Sequence, residues 1–97
     1  MLKNKDLKAV VLALAAANGT SGNENEAALL AKSMLEEYMP AHIDVLGSVC
    51  GDTGGDGVHI LLDAHIDRIG MTVTAVDDSG FIKFARVGGM DARVLAA

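Results

Sequence analysis

The segment Val58-His59-Ile60-Leu61-Leu62 restricts the fold more than any other, because it is apolar at nearly every position instead of at alternate ones. A strand covered on one face alternates, whereas an almost unbroken run is the pattern of a central strand covered on both faces, and so of a layered α/β architecture. It runs directly into Asp63-Ala64-His65-Ile66-Asp67. In an extended chain Asp63, His65 and Asp67 share one face and Ala64 and Ile66 the other. A neutral imidazole can ligate a borderline metal such as zinc, and a neighbouring carboxylate can either ligate too or fix the ring's tautomer through its other nitrogen. His-x-Asp by itself is equally the pattern of a satisfied histidine at a strand end. His59, inside the apolar run, is expected to be structural.

Ninety-seven residues make at most one small domain with a thin core, since a chain of this size hides only about two-thirds of its unfolded surface. Half the residues are hydrophobic, but with no Trp, one Tyr and two Phe the interior must be filled by aliphatic side chains and Met. The net charge of −5 and the absence of a Lys/Arg cluster argue against nucleic acid or an anionic membrane as partner. No apolar run reaches the roughly 18 residues a membrane-spanning helix needs. Cys50 is the single cysteine, so no internal disulfide forms, which fits a reducing cytoplasm.

Lys3, Lys5 and Lys8 ahead of an apolar run imitate a short secretory signal, but Asp6 lies within the basic stretch. Leu7, Val10, Val11 and Leu14 fall on one helical face, and a folded amphipathic helix is the preferred reading. Asn18 to Asn23 form a loop. Ser21 with Glu24 has the form of a capping box opening a second helix, whose apolar stripe is Ala27, Leu30, Ala31, Met34, Leu35 and Tyr38. Lys32, Ser33, Glu36 and Glu37 are expected to face water, and Pro40 to stop the helix at Met39.

Ile43, Val45 and Val49 read as a strand interrupted by a bulge or bend at Gly47-Ser48. Residues 51–57 form a turn whose Asp and Gly content lacks the ligand count and closing Glu of a calcium-binding EF-hand loop. From Ile69 the pattern changes to alternation, through Met71, Val73 and Ala75. Asp77-Asp78-Ser79-Gly80 then turns the chain, and Phe81 to Val87 returns as a hairpin partner. A domain boundary is therefore expected near Arg68, with α/β character before it and antiparallel β after it. Gly88-Gly89 ends the hairpin, and Arg93 to Ala97 begins another element. A lone hairpin is marginal and its unpaired edges invite association, so the chain reads as the front of a longer protein or one piece of an assembly.

Five segments in this order resemble the N-terminal part of the glutamyl and deblocking aminopeptidases, the dinuclear-metal family that includes tetrahedral aminopeptidases and whose members often carry the name endoglucanase. They are Asn18-Gly19-Thr20-Ser21-Gly22-Asn23-Glu24, Asp44-Val45-Leu46-Gly47, Ala64-His65-Ile66-Asp67-Arg68-Ile69-Gly70, Asp77-Asp78-Ser79-Gly80-Phe81 and Val87-Gly88-Gly89-Met90-Asp91. The resemblance covers nearly the whole chain. It implies that residues 1–68 belong to a three-layer α/β/α metallopeptidase domain and residues 69–97 to the start of an inserted antiparallel β-domain that supports oligomer contacts. It further implies a hydrolase acting on the N-termini of short peptides, working as a homo-oligomer with two divalent ions, zinc or cobalt. His65 would be a metal ligand and Asp67 the catalytic-site carboxylate that orients it.

In that family the bridging Asp, the Glu pair and the remaining ligands come from sequence beyond what corresponds to Ala97, so the chain alone is expected to be inactive. The alternative is a non-catalytic interaction or oligomerisation module made from the same fold. A change of chemistry to deacylation or glycoside hydrolysis is also conceivable, although nothing identifies an acid and nucleophile flanking a sugar. The chain departs from the family pattern at Arg68, where Glu is usual, and at Ser48, where Asn is usual. A cation beside a metal must turn away or pair with Asp63 or Asp67, and Arg68 is read either as a solvated surface side chain or as substrate-facing.

Overall fold

A computed structural model describes residues 4–96, so Lys3 and Ala97 of the expectations above lie outside the described residues. The element order is α1 (Asn4–Ala16), α2 (Asn25–Leu35), β1 (Ala41–Ile43), β2 (Val49–Gly51), β3 (Gly70–Val76), β4 (Ile82–Val87) and a short 3-10 turn at Ala92–Ala96. The α/β class expected from the sequence is therefore present, as two helices and two separate two-stranded antiparallel sheets among the described residues.

The helices meet through small residues. Ala17, Ala27 and Ala28 are the buried apolar side chains, with Val10, Ala13, Leu14, Leu30, Ala31, Met34 and Leu35 half-buried around them. The expected α1 face is therefore rotated: Val10 and Leu14 face inward as read, but Leu7 and Val11 are exposed. On α2 the stripe holds except at Tyr38, which is exposed, and Lys32 is half-buried where its partner Glu36 one turn on holds its ammonium. The helix ends at Leu35, earlier than Pro40 requires; Glu36 N–H still donates to the Lys32 carbonyl, and Tyr38 and Met39 both donate to the Leu35 carbonyl.

The capping box does not form. Glu24 is the N-cap and no side chain caps the helix; the Glu24 carboxylate instead accepts the Gly22 N–H at 2.6 Å. Asn18 takes over the bracing of α2, accepting the Ala27 N–H at 3.1 Å through its carbonyl and donating its amide to Glu26 at 2.7 Å.

The region read as one interrupted strand is a hairpin, with Ala41, His42 and Ile43 opposite Gly51, Cys50 and Val49. Its turn is built on Asp44, whose Oδ1 accepts the N–H groups of Leu46 (2.9 Å) and Ser48 (2.8 Å) while its carbonyl accepts Gly47 N–H (3.1 Å). Gly47 has φ +88°, a conformation that a residue with a Cβ resists. Val45 and Leu46, read as strand, sit on this turn and are 102% and 87% exposed.

The same turn recurs at Asp77, whose Oδ1 accepts Ser79 and Phe81 N–H at 2.9 Å each, with Gly80 N–H donating to its carbonyl. That turn joins β3 to β4 as expected, with a register irregularity between Val73 and Ala75. Beyond β4 the Asp91 carboxylate accepts the Arg93 backbone and guanidinium, opening the 3-10 turn.

The apolar run 58–62 is not a strand. Val58, Ile60, Leu61 and Leu62 are 80–92% exposed, and no strand among the described residues pairs with them. Hydropathy states what a segment needs covered and does not supply the cover. His59 is likewise exposed and not buried structure. The accessible surface of 8166 Å² compares with about 5,200 Å² for a compact monomer of this mass. The radius of gyration of 17.6 Å compares with about 12.5 Å.

Candidate metal-binding site at His65

Residues 52–67 lie outside regular structure, so the site depends on where this segment is tied down. The tie is at Arg68. Its N–H donates to the Gly19 carbonyl at 2.8 Å and its carbonyl accepts the Ser21 N–H at 3.1 Å, a parallel bridge between the 18–23 loop and the start of β3. Its guanidinium donates to the carbonyls of Ala15 and Ala17 at the C-terminal end of α1, where the helix dipole favours a cation. Of the two arrangements open to a cation here, pairing with Asp63 or Asp67 is not the one found: the guanidinium is bonded to these two carbonyls. The residue is exposed, as a surface side chain would be, with its donors held by the end of α1.

Two glycines let the pieces approach. A Cβ at Gly19 would stand 3.2 Å from the Ala27 Cβ, and one at Gly70 would stand 2.7 Å from the Thr20 Oγ1.

One residue before this anchor, Asp67 holds the His65 ring. His65 Nδ1 lies 3.0 Å from Asp67 Oδ1 and 3.0 Å from the Asp67 carbonyl oxygen. An ionised carboxylate and a carbonyl are acceptors only, so Nδ1 carries a proton and donates to both; in the neutral ring the Nε2 lone pair is then free. The His65 side chain is 85% exposed, so Nε2 is accessible.

Hydrogen bonding from Ser21, and then from His65, holds the Asp67 carboxyl below its ordinary range. Glu26 is likewise lowered, first by the Asn18 amide and last by the Arg68 charge. A cavity of about 710 Å³ opens between α2, the β1–β2 turn and residues 62–67, with Ala28, Ala31 and Leu35 on its floor and His65 and Asp67 in its wall.

The donor chemistry fits one corner of a divalent-metal site: a neutral imidazole with its tautomer fixed by a carboxylate. Among the described residues no group of three or more His, Cys, Asp and Glu side chains is gathered to hold an ion. Asp63, expected on the same face as His65 and Asp67, makes no hydrogen bond to either. Asp52 Oδ1 accepts the Gly54 N–H at 2.7 Å in a local turn.

Ser21 and Arg68 are the contributors that sequence reasoning placed elsewhere. Ser21 has the spacing of a capping box, and the Arg68 carbonyl partners lie 51 and 53 residues away in sequence. No helix among the described residues is long and apolar enough to cross a membrane.

Residues 47–97 match the sequence model of the M42 glutamyl aminopeptidases. A candidate aminopeptidase of Acetivibrio thermocellus is 38% identical over 76 residues, 74% of this chain and 22% of that protein. The candidate aminopeptidase FrvX of Escherichia coli K12 is 34% identical over 77 residues, 78% of this chain and 22% of that protein. The crystal structure of a TET aminopeptidase from the marine sediment archaeon Thaumarchaeota archaeon SCGC AB-539-E09 superposes with a TM-score of 0.81 at 32% identity, covering 95% of this chain and 27% of that one. The chain thus spans about a fifth of the length of the curated relatives it matches.

Proposed function

Because the chain belongs to the M42 glutamyl aminopeptidase family, we propose that it forms the N-terminal portion of a metal-dependent aminopeptidase acting on short peptides, in which His65 is a metal ligand and Asp67 orients it. The observation that carries this reading is the Nδ1–H of His65 shared between the Asp67 carboxylate and carbonyl, which presents Nε2 outward as a ligand. His65 would hold one of two ions, zinc or cobalt. Bound ions of this kind acidify a water and polarise the scissile carbonyl. Asp67 keeps the imidazole from rotating and favours the tautomer that can ligate. One imidazole and one orienting acid do not complete a bimetallic centre, so the chain alone is expected to be inactive.

The same reading places residues 1–68 in a three-layer catalytic α/β/α domain and residues 69–97 at the start of an inserted β-domain. The change from continuous to alternating apolar pattern near Arg68 supports the division. It also carries assembly as a homo-oligomer, consistent with the TET aminopeptidase neighbour, and residence in the cytoplasm.

The test is cobalt affinity and peptide hydrolysis of the longer polypeptide with and without His65→Ala. Affinity and activity should both fall, and unchanged values would defeat the assignment. Asp67→Ala should weaken metal binding by about tenfold, the lower end for loss of an orienting carboxylate, because the carbonyl still accepts from Nδ1. The exposed apolar run 58–62 favours a second reading, a non-catalytic assembly module of the same fold. Reading the coding sequence past codon 97 separates the two: a downstream Glu pair supports the peptidase and a stop codon the module.

A further inference from the structure

We propose that Arg68 is a positioning residue for the His65–Asp67 pair, acting through the peptide plane that joins residues 67 and 68. The inference deepens the metal-ligand reading above and rests on it. The Asp67 carbonyl and the Arg68 N–H belong to one trans peptide unit and so point in opposite directions. The N–H is committed to the Gly19 carbonyl at 2.8 Å, which aims the Asp67 carbonyl the other way, where it accepts from His65 Nδ1 at 3.0 Å. The orientation of this single plane therefore decides whether the imidazole proton has both of its acceptors.

The Arg68 side chain holds that plane. Its forked guanidinium reaches two carbonyls, Ala15 and Ala17, and so fixes the residue to the end of α1 in both position and direction. The segment preceding it, residues 52–67, has no ladder of its own to do so. A lysine in the same place would supply a point charge able to satisfy one carbonyl without fixing direction.

The experiment is long-range ¹H–¹⁵N spectroscopy of the histidine rings in the metal-free chain, at a pH where the rings are neutral, with the His65 signals assigned by their loss in His65→Ala. The unaltered chain should show His65 protonated at Nδ1 and bare at Nε2. Arg68→Ala should weaken this preference, shifting the ring toward the mixture of tautomers of a free imidazole while the Asp67 carboxylate retains part of it, and Arg68→Lys should restore it in part. Unaltered tautomers in Arg68→Ala with unaltered far-ultraviolet circular dichroism would overturn the proposal. Should Arg68→Ala lose its helical signal, Arg68→Met, which keeps the stem and deletes only the donors, carries the same comparison. Loss of helix in both would also overturn it, making Arg68 a general clamp of the fold. The tautomer is read without metal, so this failure is distinct from that of the ligand assignment, which falls only if His65→Ala leaves cobalt affinity unchanged.

Discussion

Gly70→Ala should destabilise the chain through one identifiable contact, and Thr20→Ala should relieve it. A Cβ at position 70 would stand 2.7 Å from Thr20 Oγ1, 2.8 Å from Cγ2 and 3.3 Å from Cβ. Comfortable contact begins at about 3.5 Å. Rotation about the Thr20 χ1 offers no escape. Two of its three staggered positions face Gly70 and only one can be occupied by hydrogen, so a heavy atom always remains in the way. Overpacking of this kind costs about 1–3 kcal/mol. The lower unfolded-state freedom of Ala offsets about 0.4–1 kcal/mol of that. The net loss should be about 1–2 kcal/mol, with Thr20 pushed from its bridge to Arg68. In a Thr20→Ala background the nearest atom left is the Cβ at 3.3 Å, and the cost of Gly70→Ala should fall to about 1 kcal/mol or less. Urea unfolding of the four members of the cycle, followed by far-ultraviolet circular dichroism, yields the coupling directly. Equal cost of Gly70→Ala in both backgrounds would refute the idea that this approach joins the 18–23 loop to the start of β3.

Asp44→Ala and Asp77→Ala each delete two carboxylate hydrogen bonds from equivalent turns, so each should cost about 1 kcal/mol, with loss of amide protection confined to its own hairpin. Equal loss of protection in both hairpins from either variant would contradict two independent turns. The Asp67 carboxyl, held low by Ser21 and then His65, should titrate below an unstructured Asp in ¹³C spectra, and Ser21→Ala should raise its midpoint. Because the folded value is depressed, its stabilising contribution is complete above the unfolded pKa of about 3.9 and disappears as pH falls through the folded one. An Asp67 midpoint at the unstructured value would remove Ser21 from the site. Amides of residues 58–62 should exchange without protection while those of β3 and β4 are protected, and protection at 58–62 in the chain alone would show a pairing absent from the structure.

What could be read from sequence was whatever depends on near neighbours. The Asp77-Asp78-Ser79-Gly80 turn was legible because polar turn formers separate two alternating runs. The turn at Asp44 has the same hydrogen bonds but went unseen, because Val45 and Leu46 at its tip carry strand-like hydrophobicity. Ser21 and Glu24 have capping-box spacing, yet the serine is tied elsewhere: its N–H donates to the Arg68 carbonyl. His65 and Asp67 were paired from their spacing, and they lie within hydrogen-bond distance. The target of Arg68 was not readable, since it is the end of a helix more than fifty residues earlier and no local pattern encodes it.

The exposed run 58–62 and the ligand proposed at His65 are connected problems. Each of Val58, Ile60, Leu61 and Leu62 would contribute about 1.5–3 kcal/mol on full burial, so covering all four is comparable with the entire stability of an ordinary domain. Pairing this run as a strand would fix the backbone up to the residues just before His65, from the side opposite to the Arg68 anchor. The imidazole would then be held from both ends, and the freedom it retains in the chain alone would no longer oppose metal binding. Linkage makes the effect reciprocal: whatever covers the run in the ligand-competent arrangement raises metal affinity by the same factor by which metal favours the cover. If His65 is the ligand proposed, whatever covers residues 58–62 would serve the apolar segment and the imidazole beside it together.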